Sequence, residues 1–422
     1  MGDTIDTNND VRGSDAWRGA DDFDEDNEQR QRANAFCAAV RWDVLRDIAS
    51  QHNGGMPCHL HDKFSIGHFN LVKRVSFEGG KDGDAKDWVV RLRMPSDGVF
   101  QNIEKLDPRQ IMEVEVASMK FFKTKTSIPV PAVIAYDASP DNAVGAPYII
   151  MEYIYGNTAQ ELAEIKNSAL SFYGTAEQDR KLRRQIAEIQ ATVSSFTFSR
   201  IGSLYVDDQG GFKVGPDVVT GRGPWSTSTE YYDDVVRHIY DTFPRDERRA
   251  GMLDSTALFV PSALAYLARV HAHETAGPFR LVNRDFGTHN VLVNDDFDVV
   301  GVIDFDGVMA APAGVVAQYP QFIGFQVDEV DEETLKKYVL KAEVLERNKP
   351  RLDGYNVFLR EFEDALETDS TLARPSDRLD SREALVYASM LSCHSHQAST
   401  NETLQRRCHR MLKDCADGPA VM

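Results

Sequence analysis

No apolar run in this 422-residue chain approaches the roughly 20 residues needed to cross a bilayer. The longest candidate, Ala257 to Ala268, is too short and is interrupted by Pro261 and Ser262, so a soluble protein is expected. Cysteine is sparse as well. Cys37, Cys58, Cys393, Cys408 and Cys415 are odd in number and widely scattered, which argues against a disulfide framework and predicts reduced thiols inside the cell. Cys393-His394-Ser395-His396 and Cys408-His409 lack a paired Cys-x-x-Cys and fall in helical pattern, so packing rather than zinc is expected there. Positive charge is also short. The net charge is −19, of which residues 1–33, with ten acidic against four basic side chains, carry −6 and the remainder −13. Such a surface repels nucleic acid and anionic lipid, and neither is expected as a partner.

Aliphatic residues are almost missing from residues 1–33, which include the block Asp21-Asp22-Phe23-Asp24-Glu25-Asp26. Too little apolar surface is available there to offset the entropy of ordering, so a disordered acidic tail is predicted. Its acidity is opposite to that of a mitochondrial presequence, and a cytoplasmic location is expected. Elsewhere the composition, 42% hydrophobic and 27% charged, is that of a globular protein, and the length suffices for two packed lobes.

The informative stretch is Leu281 to Gly307. Asp285 precedes Asn290 by five positions, and Asp304 follows after an apolar strand, a turn of Asn294, Asp295, Asp296 and Asp298, and a second apolar strand. That order predicts a hairpin carrying polar side chains to one end. Phosphoryl transfer from ATP needs such a set: a carboxylate for the attacking hydroxyl, and an amide with a second carboxylate to hold Mg²⁺ on the phosphates. The spacing is that of a kinase catalytic loop followed by a metal-binding Asp-Phe.

Upstream, Phe36, Val40, Val44, Leu45 and Ile48 recur at helical spacing toward a stop at Gly54-Gly55. Phe69, Leu71, Val75 and Phe77 alternate as a strand, and Trp88 to Met94 forms another, with Arg91 and Arg93 opposite Val90, Leu92 and Met94. Asp107-Pro108 opens a helix whose inward stripe, Ile111, Val114, Ser118 and Phe122, contains Glu115. A carboxylate there needs a partner, with Glu113 the alternative on this helix. Ile128 to Tyr136 reads as a Pro-marked edge strand and Ala146 to Gly156 as a strand. Residues 157–200 read as helix, and 201–250 as a turn-rich cover without assigned chemistry. Pro261 to His273 reads as helix and Gly307 to Pro320 as loop. Helices are expected over Leu335 to Val344, Tyr355 to Leu366 and Glu383 to Met411. The acidic run Asp328 to Glu333 reads as a solvated helix start.

The segment Asp285 to Asp304 resembles the aminoglycoside phosphotransferase and choline kinase-like family, small-molecule kinases with a protein-kinase-like fold, and especially its fungal branch. The resemblance implies an α+β, two-lobed architecture with a small antiparallel-sheet lobe (34–151) and a large, mainly helical lobe (152–422), and ATP with Mg²⁺ between them. It implies Asp285 as catalytic base, and Asn290 and Asp304 as metal ligands. The hairpin with Ser65 and Gly67 would lie over the phosphates, Arg91 fixed by Glu115 would steady them, and Glu152 C=O and Ile154 N–H would meet the adenine edge. The acceptor would be a small-molecule hydroxyl. No Ala-Pro-Glu follows Asp304, which disfavours a protein substrate. Two positions depart from the family pattern: Asn283 stands where His is usual, and Arg91, or Arg93 as second choice, where Lys is. They give footing to an alternative, a nucleotide-binding protein with little or no transferase activity.

Overall fold

Asn27 opens the first helix, α1 (Glu28–Ala39), by accepting the N–H groups of Gln29 and Arg30 at 2.9 and 3.3 Å. This helix begins inside the stretch expected to be tail. The computed structural model describes residues 17, 24, 26–67, 69–77, 87–95, 108–166, 173–242, 263–264, 266–270, 272, 276–321, 339–366, 372–392, 409–410 and 412–413. Contacts divide the chain into two units: Met1–Gln101, Asp107–Asn167 and His289–Phe305 in the first, and Asn102–Leu106, Ser168–Thr288 and Asp306–Met422 in the second. Both units are discontinuous in sequence.

In the first unit, the single helix expected from Ala35 is two. The chain breaks at Val40 and resumes as α2 (Trp42–His52), because Arg41 gives its N–H to Val144 O at 3.0 Å and its Nε to Ala143 O at 2.6 Å. α2 stops before Gly54 and Gly55, whose φ values of +67° and +81° supply the predicted terminator.

Strands β1 (Cys58–Leu60), β2 (Ser65–Ile66), β3 (Asn70–Phe77), β4 (Trp88–Arg93), β5 (Val133–Asp137) and β6 (Tyr148–Glu152) form an antiparallel sheet. Its order is β1-β3-β4-β6-β5, with β2 on β3. Leu71, Val75, Val90, Leu92 and Met94 share a core with Ala33, Leu45 and Ala49 of α1 and α2. Leu71 and Leu92, fully buried, each contribute roughly 1.5–3 kcal/mol. The opposite sheet face is covered by α3 (Pro108–Lys125), so every residue of β4 is buried and its arginine face is not solvated. Asp107, the expected cap of α3, lies outside the described residues. β5 starts five residues later than expected, since Pro129 and Pro131 cannot donate to a ladder, and it lies at the sheet edge as predicted.

β7 (Asn157–Thr158) leads into α4 (Ala159–Ile165) through a Thr158–Glu161 capping box. The predicted hairpin joins β7 as β12 (Val291–Val293) and β13 (Val299–Val302). Its turn is tied by Asn294, whose Oδ1 accepts the N–H groups of Asp296 and Asp298 at 3.0 and 2.9 Å.

The second unit carries α5 (Ala176–Ser194), so the helical stretch predicted over 157–200 is divided between α4 and α5. Five strands form a further antiparallel sheet. They are β8 (Thr197–Phe198), β9 (Gly202–Val206), β10 (Phe212–Gly215), β11 (Phe279–Asn283) and β14 (Val308–Ala311), in the order β10-β9-β14-β11-β8. Two expectations are corrected here. Residues 201–215 are not a cover but two strands of this sheet, followed by α6 (Ser228–Thr242); and the predicted loop after Gly307 contains β14, a central strand.

Helix α7 (Ala313–Val316) precedes α8 (Val339–Ala365), which runs through Pro350 where two helices were expected, and then comes α9 (Arg382–Ser392). Residues 263–264 and 266–270 are helical, in line with the helix read from Pro261. The acidic run 328–333 and Cys393, Cys408 and Cys415 lie outside the described residues. No helix among the described residues is long and apolar enough to cross a membrane.

Candidate active site

The first unit gathers every residue the sequence assigned to nucleotide or metal. β12 and β13 pair with Val291 opposite Val302, and one step further Ile303 N–H donates to Asn290 O at 3.0 Å. Asn290 and Asp304 therefore leave the hairpin at the same end. Asp304 has φ +64°, a left-handed conformation that Asp tolerates better than most residues, and its side chain is 31% exposed. Phe305 fixes this turn from below by packing on Phe122 of α3, with ring centroids 5.6 Å apart.

Arg91 resolves the choice left by the strand pattern. Its Nη1 donates to Glu115 and its Nη2 to Asp304 Oδ1 at 3.3 Å. Asn70 faces the same guanidinium; with its amide oxygen turned inward it accepts from Nε at 3.0 Å and Nη2 at 2.6 Å. Three acceptors, Glu115, Asp304 and Asn70, thus fix the planar fork of Arg91. Arg93 instead lies over the Phe69 ring at 4.7 Å, and Glu113 pairs with Arg109 on the exposed side of α3 at 3.1 Å. Neither substitutes for the buried Arg91–Glu115 pair. Asn70 was missed by sequence reasoning, because its place opposite Arg93 and diagonal to Arg91 depends on the register of β3 against β4.

Glu115→Gln keeps the shape of this contact and removes its charge. Since hydrogen bonds to charged groups are worth about 1.5–3 kcal/mol, the variant is expected to raise the KM for ATP roughly tenfold with a smaller change in kcat. Steady-state kinetics at varied ATP would check this, and an unchanged KM would detach Glu115 from nucleotide binding.

Ser65 pairs with Val72, and Gly67 closes the β2–β3 turn by donating its N–H to Asn70 O at 2.9 Å; space around Gly67 is open. Glu152 ends β6, where its carboxylate accepts Ala132 N–H at 3.2 Å and the Lys123 ammonium at 3.3 Å. Two residues on, the Ile154 side chain lies over Gly301 of β13, where an added Cβ would meet it at 3.0 Å. The strand end expected to meet adenine and the β12–β13 hairpin are therefore packed together.

Asn290 and Asp304 fit Mg²⁺ by the chemistry of their donors: an amide and a carboxylate oxygen suit a hard cation that keeps waters and phosphate oxygens in its remaining positions. Among the described residues no three His, Cys, Asp or Glu side chains gather into a self-sufficient cage.

Asp285 belongs to the second unit, in the turn after β11. Its N–H donates to Asn283 Oδ1 at 3.1 Å, and its Oδ1 accepts from Gln321 Nε2 at 3.3 Å. Gln321 also bonds the loop backbone on both sides, donating to Phe286 O at 2.8 Å and accepting Thr288 N–H at 3.2 Å. Asn283, the departure from His, thus braces the loop through a short amide. Gln321 carries no sequence signal, because its reach to Asp285 depends on a remote loop.

Gly307 allows close approach on the other side. A Cβ there would stand 3.0 Å from Asn283 Oδ1 and 3.3 Å from Asp285 N. Gly307→Ala is therefore expected to lower kcat roughly tenfold or more by shifting the loop, with ATP affinity retained. Wild-type kcat in this variant would show that the loop tolerates the shift.

Arg284, next to Asp285, is held strongly. Its backbone N–H and Nε both donate to Gly307 O, at 3.2 and 3.4 Å, and its Nη2 donates to Asp217 Oδ1 at 2.6 Å. Burial pulls its ionisation down, but the adjacent Asp217, with Tyr387 and Tyr231, outweighs that and holds it well above the ordinary guanidinium range.

The family model described as "Phosphotransferase enzyme family" (APH) matches residues 64–315. "Altered inheritance of mitochondria protein 9, mitochondrial" of Debaryomyces hansenii is 30% identical over 165 residues, 39% of this chain and 22% of that protein. The protein of the same name from Candida tropicalis is 37% identical over 169 residues, 39% and 22% of the two chains. The matched part thus spans about a fifth of the length of these curated relatives. Among solved structures, the streptomycin–ATP ternary complex of APH(2")-IIa aligns with a TM-score of 0.45 at 13% identity, covering 89% of this chain and 96% of that one. With well over half of its length matched by the family model, the chain belongs to the APH phosphotransferase enzyme family.

Proposed function

We propose that this chain transfers the γ-phosphoryl group of ATP to a hydroxyl of a small molecule. The observation that carries the proposal is the hairpin register that leaves Asn290 and Asp304 at one end, with Arg91, locked by Glu115 and Asn70, in contact with Asp304. In this reading Asn290 and Asp304 would hold Mg²⁺, which when bound would supply neutralisation of phosphate charge. Arg91 steadies the phosphates, the Ser65–Gly67 turn covers them with backbone N–H groups, and Glu152 C=O and Ile154 N–H receive the adenine edge. Asp285 orients the acceptor hydroxyl and takes its proton as the acceptor oxygen bonds to the γ-phosphorus and the bond to ADP breaks. Positioning and charge neutralisation supply most of the rate, so few side chains suffice. The scattered thiols and acidic surface support a cytoplasmic setting, with no role for nucleic acid or membrane lipid.

The experiment is a thermal-shift titration with Mg·ATP followed by an ATP-consumption screen over hydroxyl compounds and peptides. Stabilisation together with consumption on a small-molecule acceptor supports the proposal. A second reading draws on Arg91 and Asn283, the two departures: a nucleotide-binding protein with little or no transferase activity. Stabilisation without consumption favours that one, and consumption on peptides alone overturns the small-molecule acceptor.

A further inference from the structure

The segment between β9 and α6, without chemistry in the sequence, delivers one carboxylate to the catalytic turn. Asp217 is fully buried, and its surroundings form a built socket. Oδ2 accepts both the N–H and the hydroxyl of Thr220 at 3.0 Å each, while Asp217 N–H donates to Arg222 O at 2.8 Å and Asp217 O accepts Gly221 N–H at 2.8 Å. Val218 N–H donates to Ser203 Oγ of β9 at 3.1 Å. With Oδ2 so occupied, Oδ1 is fixed in direction, and it receives Arg284 Nη2 at 2.6 Å. The Arg284 side chain is 11% exposed, so its charge is paired inside the protein rather than by solvent.

Arg284 shares a peptide bond with Asp285. Its backbone and Nε are clamped to Gly307 O, so the residue is held at both ends, by the backbone on one side and by Asp217 on the other. We propose that Asp217 is a positioning residue for phosphoryl transfer: through Arg284 it fixes the backbone from which the Asp285 carboxylate is presented. The proposal rests on the reading of Asp285 as the base. It gives residues 201–225 a task, that of holding the catalytic turn in its working geometry without an outside counter-charge. A base held on a turn loses rate steeply when displaced, whereas nucleotide affinity, carried by residues of the first unit, does not depend on it.

Asp217→Asn, Arg284→Gln and the double variant separate positioning from stability. Asp217→Asn leaves a buried guanidinium without its anion and is expected to lower both the melting temperature and kcat, kcat by roughly ten- to a hundredfold, with the KM for ATP unchanged. The double variant removes both charges, so its melting temperature should recover toward that of the wild type while kcat stays low. Recovery of kcat together with stability, or a wild-type kcat in Asp217→Asn, overturns the proposal. Amide hydrogen exchange over residues 280–290 is measured on the same proteins. Faster exchange at 283–288 in the double variant is expected whether or not an acceptor is turned over, and unchanged exchange overturns the anchoring. If the wild type turns over no acceptor, the functional reading fails, and exchange alone decides whether Asp217 anchors the turn.

Discussion

Asp304→Asn is expected to weaken Mg²⁺-dependent ATP binding by roughly 10²-fold or more, since even outer partners of metal ligands cost 10–100-fold when removed. Asparagine is the informative substitution because the position has φ +64°, which Asn accepts and Ala strains. Its amide oxygen can still accept from Arg91, as Asp304 Oδ1 does at 3.3 Å, so the Arg91–Glu115 arrangement should persist. What would be lost is the negative charge that the proposal places on the metal. The fold should remain, with a melting temperature within a few degrees of wild type, and calorimetric titration with ATP in the presence and absence of Mg²⁺ checks the effect. Equal affinity of variant and wild type for Mg·ATP would remove Asp304 from the site.

Asp285→Asn separates binding from chemistry. The residue belongs to the second unit, whereas the groups assigned to nucleotide and metal belong to the first, so ATP affinity should be retained. Asn283 and Gln321 keep their contacts with the turn, since the first bonds the backbone N–H and the second an oxygen that Asn also possesses. Only the ability to take a proton is lost, and kcat should fall by about 10²–10⁴. Single-turnover kinetics with a bound acceptor measures this. A variant with wild-type turnover would mean that the acceptor proton leaves by another route.

How much of this was legible in the sequence follows from the range of the forces involved. The β12–β13 hairpin was readable because its determinants are local: apolar strands and a turn that Asn294 closes on its own backbone. The Arg91–Glu115 pair was readable for a related reason, since a carboxylate in the buried stripe of α3 demands a cation, and β4 offers two. What chose between those two was not local. Arg93 is drawn to Phe69, and Arg91 to Asn70 and Asp304, by the register of β3 against β4 and by a hairpin some 200 residues away in sequence.

The missed elements share that dependence. β14 is four residues, Val308 to Ala311, and becomes a strand because β11 and β9 flank it on both sides. The helix break at Val40 exists because the loop at Ala143 and Val144 takes the hydrogen-bonding groups of Arg41. Helix α8 continues through Pro350, a residue that ordinarily signals an end; α8 packs along α5, and Arg351 reaches buried Asp179. Asp217 had no distinguishing context, because its importance lies in Arg284, 67 residues later.

The central claim, that Asn290 and Asp304 hold a divalent cation together with the phosphates of ATP, is tested most directly by electron paramagnetic resonance with Mn²⁺ in place of Mg²⁺. Titrated in the presence of ATP, the wild-type protein should take up Mn²⁺ into a slowly tumbling protein-bound form that Mg²⁺ displaces, and Asp304→Asn should leave the spectrum of free Mn·ATP. Identical uptake by wild type and variant, or no protein-bound signal in either, would contradict the account.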